Sequence, residues 1–408
     1  MTVAIKSFEN VKISSGKFKA NPYPFYAYMR ESQPLYRTKY IDGRPVWLVA
    51  RYDDVLRLLK DDRLVKNRHN ALLQKQPSKF EVPMPAVFRA MERNMLDLDP
   101  PDHTRLRGLV HKAFTPQLVE KMRQQVQELA DQLVDSMVRK GQADIMADYA
   151  LPIPLTIISE ILGIPAHDQH KFHNWTTRIV SVQSPSQMIF VIPALLSFAR
   201  YMRALLEQRR TDPQDDLLTA LVQAEEAGDK LSADELLAMA FLLVTAGHET
   251  TVNLIGNGTL ALLENPDQLE RLRQEPALIK PAIEEFVRYY SPVEIATERF
   301  ASEDMTIAGV DIHKGDMVMG VIASANRDET QFPNADRLDI SREPNRHLGF
   351  GQGMHYCVGA PLARLEAQVA FQTLINRLPD LRLAVKRDDI RWRSTFVIRG
   401  MESMPVHF

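Results

Sequence analysis

The sequence predicts a mainly helical protein with a smaller β part, and three observations predict it. From His103 to about Leu260, apolar residues recur every three to four positions. Within that region, LSADELLAMAFLLVTAGHETTVNLIGNGTLALLEN is apolar nearly all round, the pattern of a helix buried in the middle of a molecule. Both flanks carry short strand-like runs, PLYRT and PVWLVARY on one side and AGVDIHKGDMVMGVIAS on the other.

Near the N-terminus, PLYRT and PVWLVARY predict strands, and a helix follows from Asp53 to Lys60. The stretch from Arg63 to Pro101 is polar and marked by prolines, so it reads as loop with short helices. Loops of that length inside a compact chain are usually functional. TPQLVEKMRQQVQELADQLVDSMVRK opens with a Thr cap and a Pro at the first helical position. The long apolar helix opens with Ser232 and Glu235, a capping box. It runs about 30 residues, or roughly 45 Å. After Tyr290 the pattern changes to turns and short strands, with AGVDIHKGDMVMGVIAS predicted as paired strands. A further helix follows Cys357, through Leu362 to Leu378, and strand-like pieces close the chain. There is no repeat and no low-complexity linker, so residues 1–408 are expected to form one domain.

Composition is that of an ordinary globular protein, 45% hydrophobic and 25% charged. A net charge of −2 argues against bulk attraction to nucleic acid or to an anionic membrane. The single cysteine rules out an intrachain disulfide and fits a reducing cytoplasm. MTVAIKSFENVKISSGKFKANPYPF contains no long apolar run, so neither a signal peptide nor a membrane anchor is expected. A cytoplasmic monomer is the expectation.

That one cysteine, Cys357, lies in FGQGMHYCVGA. A lone cysteine is most often a buried structural residue. Here Gly351 and Gly353 permit backbone shapes closed to other residues, and Gly359 is expected to do the same on the far side. Phe350 can cover the sulfur. A following helix offers free amides to an anionic sulfur, which suits a metal ligand. Zinc fits poorly, because no second cysteine or close histidine pair supplies its remaining ligands. A nucleophile needs a base, and His355 points away if residues alternate along the loop. A haem iron needs only one strong protein ligand.

The spacing in FGQGMHYCVG, a Phe, two residues, Gly, three residues, Cys, one residue and Gly, resembles the haem-binding signature of the cytochrome P450 monooxygenases. Four further motifs agree with it in order and spacing, and the resemblance covers essentially the whole chain. Soluble bacterial members are the most similar, above all the macrolide hydroxylases and the acyl-chain-cleaving enzyme of biotin synthesis. The resemblance implies the P450 fold, with the long helix crossing a buried haem b whose iron takes the Cys357 thiolate. Phe350 and Gly359 then flank the ligand. In AGHETT, Ala246 and Gly247 leave room above the haem, and Glu249 and Thr250 deliver protons. His103 and Arg107 of DHTRLRG, with Arg299 and His355, match the positions that meet the haem propionates. Glu285, Arg288 and Arg342 match a structural trio that holds the cysteine loop.

The reaction implied is insertion of one oxygen atom from dioxygen into a C–H bond of an apolar substrate: a macrolide or polyketide, a fatty acyl chain, a steroid or a terpenoid. The chain carries no flavin or iron–sulfur module, so a separate ferredoxin and reductase are the expected electron donors. Arg105, Lys112, Arg346 and Arg364 are the candidate docking cations. Val87, Phe88, Ile179, Val180, Leu243, Ala246, Val293, Ile295 and Phe396 are the candidate substrate contacts, from family topology and apolar character. Two rival readings are a peroxide-driven haem enzyme of the same fold and a non-catalytic haem sensor. The Glu249–Thr250 pair argues against both.

Overall fold

The computed structural model describes residues 11–71, 93–180, 188–226 and 232–408. Its axis is the helix Ala233–Glu264. The predicted capping box is present. The Ser232 hydroxyl accepts the Glu235 N–H at 3.2 Å, and the Glu235 carboxylate accepts the Ser232 N–H at 2.7 Å. Among the described residues this helix alone is long and apolar enough to cross a membrane, and 67% of its most apolar window is buried inside the protein. It is a core helix. Helices Pro152–Ile161, Ile279–Tyr289 and Ala360–Arg377 pack around it. Their apolar faces join one continuous core, in which the Phe286 and Phe371 rings lie 4.8 Å apart.

The segment predicted as one helix from Thr115 is two, Pro116–Lys121 and Arg123–Lys140. The Met122 N–H bonds the Val119 carbonyl three residues back, and that tighter turn interrupts the α-helical ladder.

A five-stranded sheet lies to one side. Its order is Leu35–Lys39, Pro45–Val49, Met317–Gly320, Arg299–Ala301 and Leu64–Val65. The run AGVDIHKGDMVMGVIAS does not fold on itself as predicted. Val310–Ile312 pairs instead with Met305–Ile307, and Met317–Gly320 runs parallel to Pro45–Val49. The Asp316 carboxylate accepts from the Trp47 indole at 3.3 Å, a further contact between this strand and the N-terminal hairpin.

Buried charge fixes the region just before the cysteine. Arg288 and Glu285 are both fully buried and meet through two 2.7 Å bonds. Arg342 reaches the same carboxylate at 3.2 Å. Arg288 also donates to the carbonyls of Asn326, Ala335 and Arg337. The predicted trio therefore fastens the irregular chain from 326 to 345 onto helix Ile279–Tyr289. The neighbouring Glu284 acts on the cysteine side. It binds Arg364 at 2.7 and 2.8 Å and His347 at 3.0 Å. Burial alone would raise its carboxyl, but these bonds hold it down at about 2.

Helix Ala360–Arg377 meets the central helix through a second buried acid. Glu366 is 1% exposed and hydrogen-bonds the buried Thr251. Burial pushes its carboxyl up to about 8, so it is mostly protonated at neutral pH. A separate cluster joins the two ends of the chain. Lys19 pairs with Glu294, Tyr26 donates to Glu294 at 2.8 Å, and Arg399 donates to the Lys19 carbonyl at 2.9 Å.

Two outcomes follow from these buried acids. Glu285→Gln leaves two guanidinium groups without their anion, so unfolding free energy should fall by about 3–5 kcal/mol. Urea denaturation measures this, and a loss below about 1 kcal/mol contradicts the assigned role. Glu366 holds a proton in the folded state between its unfolded value of 4.5 and about 8. Its contribution is therefore complete below the lower value and is lost as pH rises through the upper one. Glu366→Gln should gain on the parent protein between pH 5 and 8, by at most about 1.4 kcal/mol per pH unit. A stability difference that stays flat across that range contradicts the buried, protonated acid.

Candidate active site

The cysteine loop is closed by a bond from the Cys357 N–H to the Phe350 carbonyl, at 2.8 Å. Gly351 and Gly353 both have φ of +71°, as the sequence predicts for a turn this tight. Gly353 also sits against the Leu59 carbonyl, where a Cβ would collide. Gly359 differs from expectation. Its φ of −83° is open to any residue. A Cβ there would meet the Cys357 sulfur at an ordinary 4.0 Å, so neither backbone shape nor protein packing requires glycine at this position. The Arg364 guanidinium lies 4.3 Å over the Phe350 ring, stacking the loop onto the helix that follows.

Cys357 is exposed, yet protein surrounds it closely enough that burial pushes its thiol up. The N–H groups of Gly359 and Ala360, with Arg107 and Arg364, pull the other way. A sulfur that lies deep and still faces open space fits both observations. A metal ion held by Cys357 would favour the thiolate and offset the cost of burial.

The four residues expected at the haem edge come together beside this loop. His103 and Arg107 occupy helix Asp102–Ala113. Arg107 donates to the carbonyl of Tyr356, next to the cysteine, at 2.6 Å. The His103 and His355 rings lie 4.3 Å apart. Both His103 ring nitrogens and the His355 Nε2 are buried without a partner. Arg299 donates only to the carbonyls of Leu59 and Leu64, each at 3.3 Å, among the described residues. Burial lowers it to about 10.

The sequence reading missed a fifth group. The strand register pairs Val65 with Phe300 and so brings Lys66 alongside Arg299. Lys66 is buried, held by the Thr297 hydroxyl at 2.6 Å and the Glu298 carbonyl at 2.8 Å. Burial pushes its ammonium down to about 8. Burial, then Lys66, His103, Arg299 and Arg107, drive the His355 imidazole down to about 2. A cavity of about 360 Å³ adjoins Arg299 and His355. Buried cations and unpartnered imidazoles at one edge, beside a cysteine, fit a flat ligand with two carboxylates at that edge. Haem is such a ligand.

On the central helix, Ala246 is exposed although its neighbours Val244 and His248 are buried. Gly247 instead faces Ile158, with room for a Cβ at 3.5 Å, so the open surface here belongs to Ala246. The Thr250 hydroxyl donates to the Ala246 carbonyl at 2.8 Å. Glu249 bonds Arg393 at 3.1 Å, a partner no local motif announced. Glu366 was likewise unforeseen, and its bond to Thr251 ties the cysteine helix to the residue after Thr250.

The substrate contacts fare unevenly. Val87 and Phe88 lie outside the described residues, as does the side chain of Val180. Ile179 packs half-buried on the main core, and Leu243 is buried within it. Val293 is half-buried and bridges Ile398. Ile295 has no exposed surface and therefore lines no open cavity. The Lys19–Glu294 pair seals this segment beneath the N-terminal helices. Phe396 is 6% exposed and packs edge-on against Tyr40.

The docking cations change too. Arg105 is paired with Glu235 at 2.5 Å and with Asp102, and Arg364 with Glu284. Their charge is met by carboxylates within the protein. Arg346 is exposed, and the Lys112 side chain lies outside the described residues.

Comparison with known proteins agrees with this geometry. Residues 13–379 match the family model described as Cytochrome P450. The chain is 45% identical over 393 residues to the polyketide biosynthesis cytochrome P450 PksS of Bacillus subtilis, covering 96% of each protein. A solved structure of PksS superposes with a TM-score of 0.90 over 97% of this chain and 99% of that one. The myxobacterial cytochrome P450 CYP267B1, solved in complex with myristic acid, is 42% identical with a TM-score of 0.90, covering 96% and 98%. P450BioI, solved with an acyl carrier protein bearing hexadec-9Z-enoic acid, is 37% identical with a TM-score of 0.87, covering 97% and 100%. The cysteine turn, the cationic edge beside it and these full-length likenesses have one reading: the chain belongs to the cytochrome P450 family and is a haem-thiolate monooxygenase.

Proposed function

We propose that this chain hydroxylates a long polyketide or fatty-acyl substrate at a C–H bond, using electrons from a separate ferredoxin and its reductase. The observation that carries the site assignment is the cluster at the cysteine loop. Arg107, Arg299 and Lys66 converge with His103, whose ring nitrogens are both unpartnered, and with the unpartnered Nε2 of His355, where no carboxylate of the described residues bonds them. In this reading Cys357 is the axial ligand, and His103, Arg107, Arg299 and His355, joined by Lys66, hold the propionates. When bound, the haem supplies the thiolate-ligated iron chemistry that cleaves dioxygen.

The protein's own work is then to seat the substrate, exclude water and move protons. Ala246 presents a small, open surface on the central helix, where a larger side chain would crowd the substrate. The Thr250 hydroxyl is fixed at the Ala246 carbonyl and can pass a proton onward from that point. Glu249 points elsewhere, since adjacent residues on a helix project about 100° apart, and lies on the supply route. The acyl and polyketide preference is drawn from three of the relatives: PksS, named for polyketide biosynthesis, CYP267B1, solved with myristic acid, and P450BioI, solved with an acyl-loaded carrier protein. A panel of fatty acids, their carrier-protein thioesters and polyketides tests it against steroids and terpenes, read by the spin-state shift of the haem spectrum and by product formed. Shifts confined to steroids or terpenes would contradict the substrate class.

Two variants test the assigned residues. Cys357→Ser should lose the carbon-monoxide difference band typical of thiolate-ligated haem. If the band persists, Cys357 is not the ligand. Thr250→Ala should bind haem and substrate normally, yet its yield of product should fall by about tenfold or more. NADH consumption should continue, with hydrogen peroxide as the outlet. Equal product per NADH in variant and parent would remove Thr250 from the proton path.

A further inference from the structure

Among the described residues, the cation that pairs with Glu249 is Arg393, from the far end of the chain. Arg393 Nη1 donates to Glu249 Oε1 at 3.1 Å. The two side chains are 27% and 13% exposed, so salt screens this pair less than a surface one. Arg393 is also well held. Its N–H donates to the Gly400 carbonyl at 3.0 Å, Trp392 bridges Met401, and the Thr395 hydroxyl bonds the Ile398 carbonyl. Gly400 in turn presses on Asn253, one helical turn beyond Glu249, so closely that a Cβ would overlap the asparagine. The closing segment is thus docked against the central helix at the level of the acid.

We propose that Arg393 is a positioning residue for the proton path: it holds the Glu249 carboxylate in one orientation and supplies its counter-charge. The proposal rests on the reading of Glu249 as a proton relay. The need for it is electrostatic. Burial pushes the Glu249 carboxyl above the usual carboxylate range, and Arg393 is the group that opposes this. Beside Glu249 on the same helix stands His248, and His173 of helix Ala166–Val180 faces His248. His248 is pushed down to about 4 by burial, and its Nδ1 lies 2.6 Å from the Val244 carbonyl. Burial also lowers His173. Both are neutral at physiological pH, so neither can replace the guanidinium. Without Arg393 the acid would keep its proton to higher pH, and a relay must both take and release a proton near its working pH.

The test uses full-length, haem-loaded enzyme with ferredoxin and reductase. Arg393→Met and Arg393→Lys are made alone and together with Glu249→Gln. Infrared difference spectra against the matching Glu249→Gln protein follow the carboxyl band with pH, without turnover. Product formation from pH 6 to 9 gives the second readout. In Arg393→Met the carboxyl should titrate at least about one pH unit higher, and the pH–rate profile should move in the same direction. Arg393→Lys should restore most of both. In the Glu249→Gln background, Arg393→Met should cost nothing further. An unmoved titration and pH profile in Arg393→Met overturn the proposal, as does an equal additional loss in the Glu249→Gln background. If Glu249→Gln itself leaves rate and product per NADH unchanged, the relay reading fails, and the infrared titration still decides whether Arg393 sets the charge of this acid.

Discussion

Positive charge gathered in one buried place is the constraint on which the rest of this structure depends. Lys66, Arg107 and Arg299 arrive from three stretches far apart in the chain, and His103 and His355 join them with ring nitrogens unpartnered. Burying like charges together is unfavourable unless an anion enters between them. Burial is the first cause of the depressed values of His355, Lys66 and Arg299, and the neighbouring cations add to it at His355 and Lys66, whereas at Arg299 the nearby acids Asp99, Asp61 and Asp62 oppose it. On the function proposed above, a haem dianion would offset the cost of this burial, and one bound group would then tie a strand pair, a helix and the cysteine loop into a single unit.

The cysteine loop is also held from behind, and by two adjacent residues. Glu285 takes Arg288 and Arg342 and so fixes the irregular chain upstream of the loop. Glu284 takes His347 and Arg364, which flank the loop itself. Because the two acids are neighbours on one helix, the upstream chain and the loop are referred to the same rigid element. The central helix completes the frame through Glu366 and Thr251. Together these contacts place Cys357, Ala246 and Thr250 on elements that touch one another, which a site of this chemistry requires.

What could be read from the sequence was whatever is local. The capping box at Ser232 and Glu235, the Glu285–Arg288 spacing and the two left-handed glycines of the cysteine turn each lie within a few residues, and each is present. The interactions that escaped depend on register or on distant pairing. Nothing in the sequence marks Lys66 as the neighbour of Arg299, because a strand pairing separates them by more than 200 residues. Arg393 meets Glu249 only after the chain end folds back. For the same reason, Arg105 and Arg364 read as free cations and are in fact paired with acids on other helices. Ile295 read as pocket lining from family topology and apolar character, but Glu294 beside it draws the segment under the N-terminal helices.

The central claim is that buried positive charge in this fold is matched by the carboxylates of the haem. Reconstituting the apoprotein with iron protoporphyrin IX and with its dimethyl ester tests it most directly, because the ester keeps the iron, the ring and the shape and removes only the two charges. Transfer of each haem to an excess of a competing apoprotein gives the dissociation rate. The account predicts that the ester leaves at least about 100-fold faster, the consequence of leaving buried cations unpaired. Equal rates for the two haems would contradict it.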